Sequence, residues 1–365
     1  MKLRRIGAMA RKEWLHIVRD PRSLGMALMV PLLMLILFGY ALSLDVDQIP
    51  TLIVDQDATP TSRALRAKFE GSRYFAIRGV DPSTARVDGL IDRGDIILAV
   101  VIPTGFERDI NRRAQPGVQL LLDASDSNTA SIAINYAEAL VGQWAMGGFA
   151  PLTEARVRVW YNEDLKSRNY IIPGLIAVIL VIIAALLTSL TIAREWENGS
   201  MEQLLSTPLR PAEIVLGKLA AYFAVGAIDV VTSVLVSVFV FDVPLRGNLI
   251  FLAFTSGLFL FGALSWGVFL SAVARTQLLA YQMGMLTSFL PAFLLSGFIY
   301  SIDGMPRPVQ IVTHAFPARY FIAILKALYL KGEGLHLLWV EVSFLAAYSA
   351  VIFVAATRKV GTKVA

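Results

Sequence analysis

The segment "REWENGSMEQLLSTPLRPAEIVLGK" (194–218) gathers Glu195, Glu197, Glu202 and Glu213 between two long apolar runs. Carboxylates at that density can serve acid–base chemistry, metal ligation or recognition of a partner. The first two need companions that the chain lacks. Its three histidines, His16, His314 and His336, lie far apart, and no His/Asp/Glu cluster has metal-ligand spacing. There is no cysteine, which removes thiolate metal sites, disulfides and Cys nucleophiles. Recognition remains. On a helical wheel Trp196, Met201, Leu204 and Leu205 spread over one half of the cylinder, with Glu195 and Glu202 on the other. Glu197 intrudes on the apolar side, and Asn198-Gly199 weakens the first turn. Thr207-Pro208 ends the helix and Pro211 opens the next. An acidic helix is repelled by an anionic inner leaflet, so a protein groove suits it better than a lipid surface. Tied to membrane helices at both ends, it is suited to transmitting a push.

The elements that must position it are apolar. Of 365 residues, 56% are hydrophobic and 17% charged, with a mean hydropathy of +0.62, too apolar for an ordinary soluble domain. A window of about 19 residues picks out spans near 23–44, 171–193, 219–241, 249–273, 278–300 and 335–356. The expected fold is a polytopic α-helical membrane protein with six transmembrane helices, and an α/β (α+β) extracytoplasmic domain inserted between the first two.

Orientation follows from Lys and Arg in the short flanks. One side holds seven in the first 22 residues, then Arg194, Arg210, Lys218, Arg275, Arg358, Lys359 and Lys363; the other holds Arg246, Arg307, Arg319, Lys326 and Lys331. Fourteen against five puts both termini in the cytosol and residues 45–170 outside. "ALS" at 41–43 is weakly like a cleavage site. The preceding apolar core is too long for a signal peptide, so a retained anchor is expected.

In residues 1–22, Leu3, Ile6, Ala10, Trp14 and Ile17 recur on one helical face, and Arg4, Arg5, Arg11, Lys12 and Arg19 on the other. Such a helix lies flat in the interface, basic side toward anionic headgroups; Glu13 breaks the pattern. In the inserted domain 51–55, 74–80, 95–102 and 117–123 read as strands. Helices fall at 60–70, 83–93, 104–113 and 127–148, with Pro60, Pro82 and Pro103 at or near their starts. Asp55, Asp57, Asp123 and Asp126 read as strand-end and turn residues.

Inside the spans, Asp229 stands near the middle of the third with no Lys or Arg in any span to pair it. It belongs to a substrate path or makes a structural hydrogen bond to Ser or Thr; both readings stay open. Pro291 and Gly297 mark a kink or an early end in the fifth span. Phe293, Phe298 and Tyr300 either narrow the outer part of a path or form an interfacial belt. Gly257, Gly262 and Gly267 read as helix-packing surface.

The segment 194–218 resembles the coupling segment between the second and third spans of permeases of type-2 ABC exporters. Arg194, Glu195, Glu197, Gly199, Glu202, Gln203, Leu204, Leu205, Pro208, Glu213, Gly217 and Lys218 match that pattern; Ser200 stands where Thr is usual. "LLSGFIYSIDGMPRPVQ" (294–310), "FPARYF" (316–321) and "LKG" (330–332) are similar to the family's region before the last span. "VDQD…TSRAL" (54–65) and "VIPTGFERDI" (101–110) are similar to the outer domain of its drug-efflux branch.

The resemblance implies a coupling helix at 194–210, a re-entrant extracytoplasmic segment at 301–334, and a half-transporter in a bacterial inner membrane. It implies an ABC ATPase subunit on the cytosolic side and a second permease, identical or sibling. Membrane lipids surround it, a periplasmic adaptor is a further candidate for the outer domain, and no nucleic acid is expected. ATP and Mg belong to the ATPase subunit: "VLGKL" has neither the upstream Gly nor the hydroxyl residue of a phosphate loop. No catalytic residue, cofactor or metal is expected on this chain. Two other classes remain: a polymer or glycolipid exporter, which usually lacks the outer domain, and a non-transporting receptor or scaffold, which does not need an acidic coupling helix.

Overall fold

The computed structural model describes residues 2–41, 48–112, 117–123, 127–148, 167–274, 276–300, 302–332 and 334–361. The chain divides into two units, Met1–Ser43 with Val159–Ala365, and Leu44–Arg158.

The chain starts with α1 (Leu3–Arg19) and α2 (Pro21–Ala41), separated at Asp20. The inserted unit then follows as β1 (Ile49–Asp55), α3 (Pro60–Glu70), β2 (Phe75–Asp81), α4 (Val87–Asp92), β3 (Leu98–Ile102), α5 (Phe106–Asn111), β4 (Gln119–Leu122) and α6 (Ser127–Gly148). The strand order is β2-β1-β3-β4, with β1 parallel to both neighbours and β4 antiparallel to β3. Every residue of β3 is buried, the pattern of a strand covered on both faces. Ile53, Val100 and Ile102 face Leu65, Phe69, Phe106 and Ala133 on one side. Leu52, Val54, Ala99 and Val101 face Val87 on the other.

The β1–α3 turn is stapled by two aspartates. Asp55 accepts from the Ser62 hydroxyl at 2.9 Å and Ala58 N–H at 2.9 Å. Asp57 accepts from Gly105 N–H at 2.7 Å, Glu107 N–H at 3.0 Å and the Thr59 hydroxyl at 2.8 Å. Burial pushes the Asp57 carboxyl up. The N–H of Glu107, the Thr59 hydroxyl and the N–H groups of Gly105 and Phe106 outweigh that and hold it below the ordinary carboxylate value. These are turn and strand-end roles. Asp123 ends its strand with an N–H bond to the Ile97 carbonyl; Asp126 lies outside the described residues.

The other unit continues with α7 (Arg168–Glu197), α8 (Ser200–Leu205), α9 (Pro211–Phe239), α10 (Leu249–Val273) and α11 (Gln277–Leu294). It closes with α12 (Arg307–Thr313), α13 (Pro317–Lys326, extended by a wide turn to Lys331) and α14 (Trp339–Gly361). Helix α7 is the axis: α2, α9, α10, α11 and α13 all pack on it, and 89% of its most apolar window is buried. The Thr188 hydroxyl ties it to α10 by donating to Leu264 O at 2.9 Å. Outward residues such as Met29, Leu33, Val231, Leu235, Phe254 and Val351 are exposed and apolar, the surface a bilayer requires.

Among the described residues five helices are long and apolar enough to cross a membrane: α2 from Leu24, α7, α9, α10 and α14. The predicted fifth span at 278–300 coincides with α11, which stops at Leu294 and is not among those five. Its 18 residues make about 27 Å at ~1.5 Å per residue, against a hydrocarbon core of about 30 Å. Gly297, at φ 77°, turns the chain away; of the kink and the early end, the early end occurs. Inside 301–334, α12 and α13 bend by 83° at a short break. Counting that pair as one span would make six. The third span begins at Pro211, earlier than predicted, and the last runs on to Gly361.

Candidate coupling site

The single helix expected over 194–210 does not form. Helix α7 carries on through Arg194, Glu195, Trp196 and Glu197. Asn198 follows, and Gly199 at φ 67° turns the chain into α8. A left-handed residue ends a helix, and glycine adopts that conformation without a Cβ penalty. The segment is therefore a stem and a tip. At the tip, Met201 is buried and Leu204 half-buried, while Glu202, Gln203, Ser206, Thr207 and Pro208 are exposed; Leu205 belongs to α8, and its side chain is outside the described residues. Glu195 does not share the outward face of Glu202. It is 8% exposed and turned inward.

What it meets is a buried ion cluster. Lys218, 1% exposed, places Nζ 2.8 Å from Glu13 Oε1 and 3.0 Å from Glu195 Oε1. Lys12 Nζ lies 2.9 Å from the same Glu195 oxygen. Two cations and two carboxylates thus join α1, the end of α7 and the start of α9. Removing one partner of such a buried group strands the others, which costs far more than an exposed pair contributes. Gly217 lets α1 come this close: a Cβ there would lie 2.5 Å from Met9 Cβ. The two residues that end the 194–218 segment, Gly217 and Lys218, are thereby explained by packing against the N-terminal helix.

A second tie lies four to five residues upstream. Glu213 accepts from Arg210 N–H at 3.0 Å, capping α9, and from Lys2 N–H at 2.8 Å. Arg5 reaches Glu213 at 3.6 Å and donates to the Pro208 carbonyl. Glu197 accepts from the N–H of Gln277 at 2.8 Å and from its side-chain amide, fixing the start of α11. Arg194 Nε donates to Gln277 Oε1 at 3.4 Å.

Helix α1 turns its Met9–Glu13 face inward. Met9 and Glu13 are buried, while Leu3 is 85% and Trp14 39% exposed. The residue that broke the apolar pattern, Glu13, is the one that pairs with Lys218. On the outward side Leu3, Trp14, Leu15 and Val18 are exposed, interleaved with exposed Arg4 and Arg11. Sequence reasoning missed Lys12, Glu13 and Gln277. The available signal was a lone acid in a basic helix.

The four path candidates do not form one group. Pro291 lies inside α11. Phe293 touches Phe289 at 5.3 Å and Phe298 at 5.9 Å between ring centroids. The Gly297 carbonyl accepts from Lys326 Nζ at 3.2 Å and from the Tyr170 hydroxyl at 3.4 Å. Lys326 Nζ also sits 3.3 Å from the Tyr170 ring centroid. Asp229 belongs to α9, is 1% exposed, and neither carboxylate oxygen has a hydrogen-bond partner among the described residues. The structural hydrogen bond to Ser or Thr is not made there.

Comparison with known proteins gives these features a common setting. The model of the ABC-2 family transporter proteins matches residues 21–358. The probable multidrug ABC transporter permease YbhS of Escherichia coli K12 is 38% identical over 362 residues, 97% of this chain and 96% of its own. The probable multidrug ABC transporter permease YbhR of the same organism is 30% identical, covering 92% of each chain. The inner membrane transport permease YhhJ is 26% identical over 83% of each. With most of its length matched and multiple apolar helices to place in a bilayer, the chain belongs to the ABC-2 transporter family as a multi-pass membrane permease.

Proposed function

We propose that this chain is the membrane half of an ATP-driven exporter whose ATPase subunit docks on the α8 tip, and that the buried cluster transmits the motion. The carrying observation is the division of the 194–218 segment. An exposed tip with Glu202 outward has its stem clamped to α1, α7 and α9 through Lys218. A tip that only joined two spans would need no such clamp. The relatives named as multidrug permeases support a hydrophobic or amphipathic substrate. A second permease, identical or sibling, completes the path, and ATP and Mg sit on the ATPase partner. The six spans are α2, α7, α9, α10, α11 and α14, with the bent α12–α13 pair re-entrant. An even number of spans keeps both termini cytosolic, in line with the fourteen-to-five Lys/Arg bias, and leaves the sheet unit outside, where an adaptor could meet it. Asp229, Pro291, Phe293 and Gly297 remain candidates for the path.

The absence of cysteine makes single-cysteine labelling clean. Thr207→Cys should react with a membrane-impermeant maleimide only in inverted vesicles, and Ser72→Cys only in intact spheroplasts. The reverse pattern would overturn the orientation. Co-isolation from the native host should recover an ABC ATPase chain; a receptor or scaffold would come without one.

A further inference from the structure

A groove of about 360 Å³ opens where α1 meets α2, walled by α7, α9 and α11, within the ~300–1,000 Å³ range of small-molecule sites. Its lining is ordered. His16, Asp20, Arg194, Tyr222 and Tyr281 lie together with a run of apolar residues that continues along Leu24, Ala27 and Val30 of α2 opposite Ile183 and Leu190 of α7. Chain position sets the direction: the polar members from α1 and α7 lie at the α1–α2 elbow and the last turns of α7, whereas Val30 and Ile183 lie deeper along those helices.

We infer that this groove holds one inner-leaflet phospholipid, its phosphate against Arg194 and an acyl chain between α2 and α7. Three observations carry it. Helix α1 exposes Leu3, Trp14, Leu15 and Val18 beside outward Arg4, Arg11 and Arg19, which seats it at the headgroup boundary and puts the elbow at headgroup depth. The groove's polar-to-apolar order follows that of a lipid from head to chain. Its polar end carries the Arg194 guanidinium, a planar fork that suits a phosphate. Arg194 gives Nε to Gln277 at 3.4 Å and immediately precedes Glu195 of the ion cluster. A bound headgroup would therefore rest on the stem of the segment proposed to dock the ATPase. The leaflet follows from the orientation proposed above, and an error there would appear in the cysteine labelling, not in the test below.

The test uses the full chain in phosphatidylcholine nanodiscs containing a phosphatidylethanolamine with a diazirine near the head of one acyl chain. After irradiation, cross-linked peptides are mapped by mass spectrometry. Labelling should concentrate on the peptides holding 24–30 and 183–190. Unlabelled phosphatidylethanolamine should reduce it several-fold. Ala27→Trp, which fills the groove, should reduce it several-fold while labelling around Val231, Leu235 and Phe239 stays unchanged. Leu190→Trp fills it from the opposite wall and serves if the first variant fails to fold. Labelling spread over all outward faces and indifferent to both variants would show annular lipid only and overturn the inference.

Discussion

Two lysines hold the two ends of helix α7 in different ways. Near Glu195, Lys218 is buried between two carboxylates on two other elements. Near Tyr170, Lys326 rests on the Gly297 carbonyl and the Tyr170 ring. The two ends are 25 residues apart, about 38 Å along the helix at ~1.5 Å per residue. Opening the first means separating buried opposite charges. Opening the second exchanges a carbonyl and a ring face for water, both modest interactions. On the function proposed above, the Lys218 end suits rigid transmission and the Lys326 end suits the part of the path that must open.

The largest effect should come from Lys218→Met. It leaves Glu13 and Glu195 with only the half-exposed Lys12 as a cation, a loss of about 3–5 kcal/mol for a broken buried pair. Thermal unfolding in nanodiscs should fall steeply. The triple variant Glu13→Leu/Glu195→Leu/Lys218→Met, which replaces the ions by apolar side chains, should recover much of that loss. A single Lys218→Met variant as stable as wild type would remove the clamp.

Lys326→Met should cost less, about 1 kcal/mol for one hydrogen bond to a neutral acceptor plus about 0.5–2 kcal/mol for the cation–π contact. Hydrogen exchange at 295–300 should rise with little change in the 194–218 segment. Equal losses from the two lysine variants would erase the distinction between the ends.

A smaller effect lies in the sheet unit. Folding lowers the Asp57 pKa below the ordinary 3.8. Its contribution to stability is therefore complete above that value and disappears as pH falls through it toward the folded pKa. Protection of the Gly105 and Glu107 amides against hydrogen exchange should weaken as pH drops below about 4. Asp57→Asn should lack that acid component. A variant with the wild-type profile would show that Asp57 does not staple the turn.

Much of this was legible in the sequence, for reasons visible in particular residues. Alternating apolar runs with proline-started helices placed all four strands of the sheet unit, because β3 and β1 are continuous apolar runs bounded by turn residues. Five of the six predicted apolar spans coincide with helices long and apolar enough to cross a membrane. What the sequence concealed was long-range pairing. Glu13 and Lys218 are 205 residues apart, and no local pattern connects them; Glu13 registered only as an exception on its helix. The helical wheel put Glu195 with Glu202 because it assumed one continuous helix, and Gly199 breaks the phase between them. Helix α11 ends at Leu294, three residues before the left-handed Gly297.

The central claim, that an exposed tip docks an ATPase while a buried stem carries the motion, is tested most directly by Glu202→Lys. Glu202 is exposed and outside the ion cluster, so thermal stability should stay within about 0.5 kcal/mol of wild type. Stimulation of the co-isolated ATPase by the permease and efflux of a fluorescent amphiphile from proteoliposomes should both fall. A stable Glu202→Lys protein with wild-type ATPase stimulation and wild-type efflux would contradict the account.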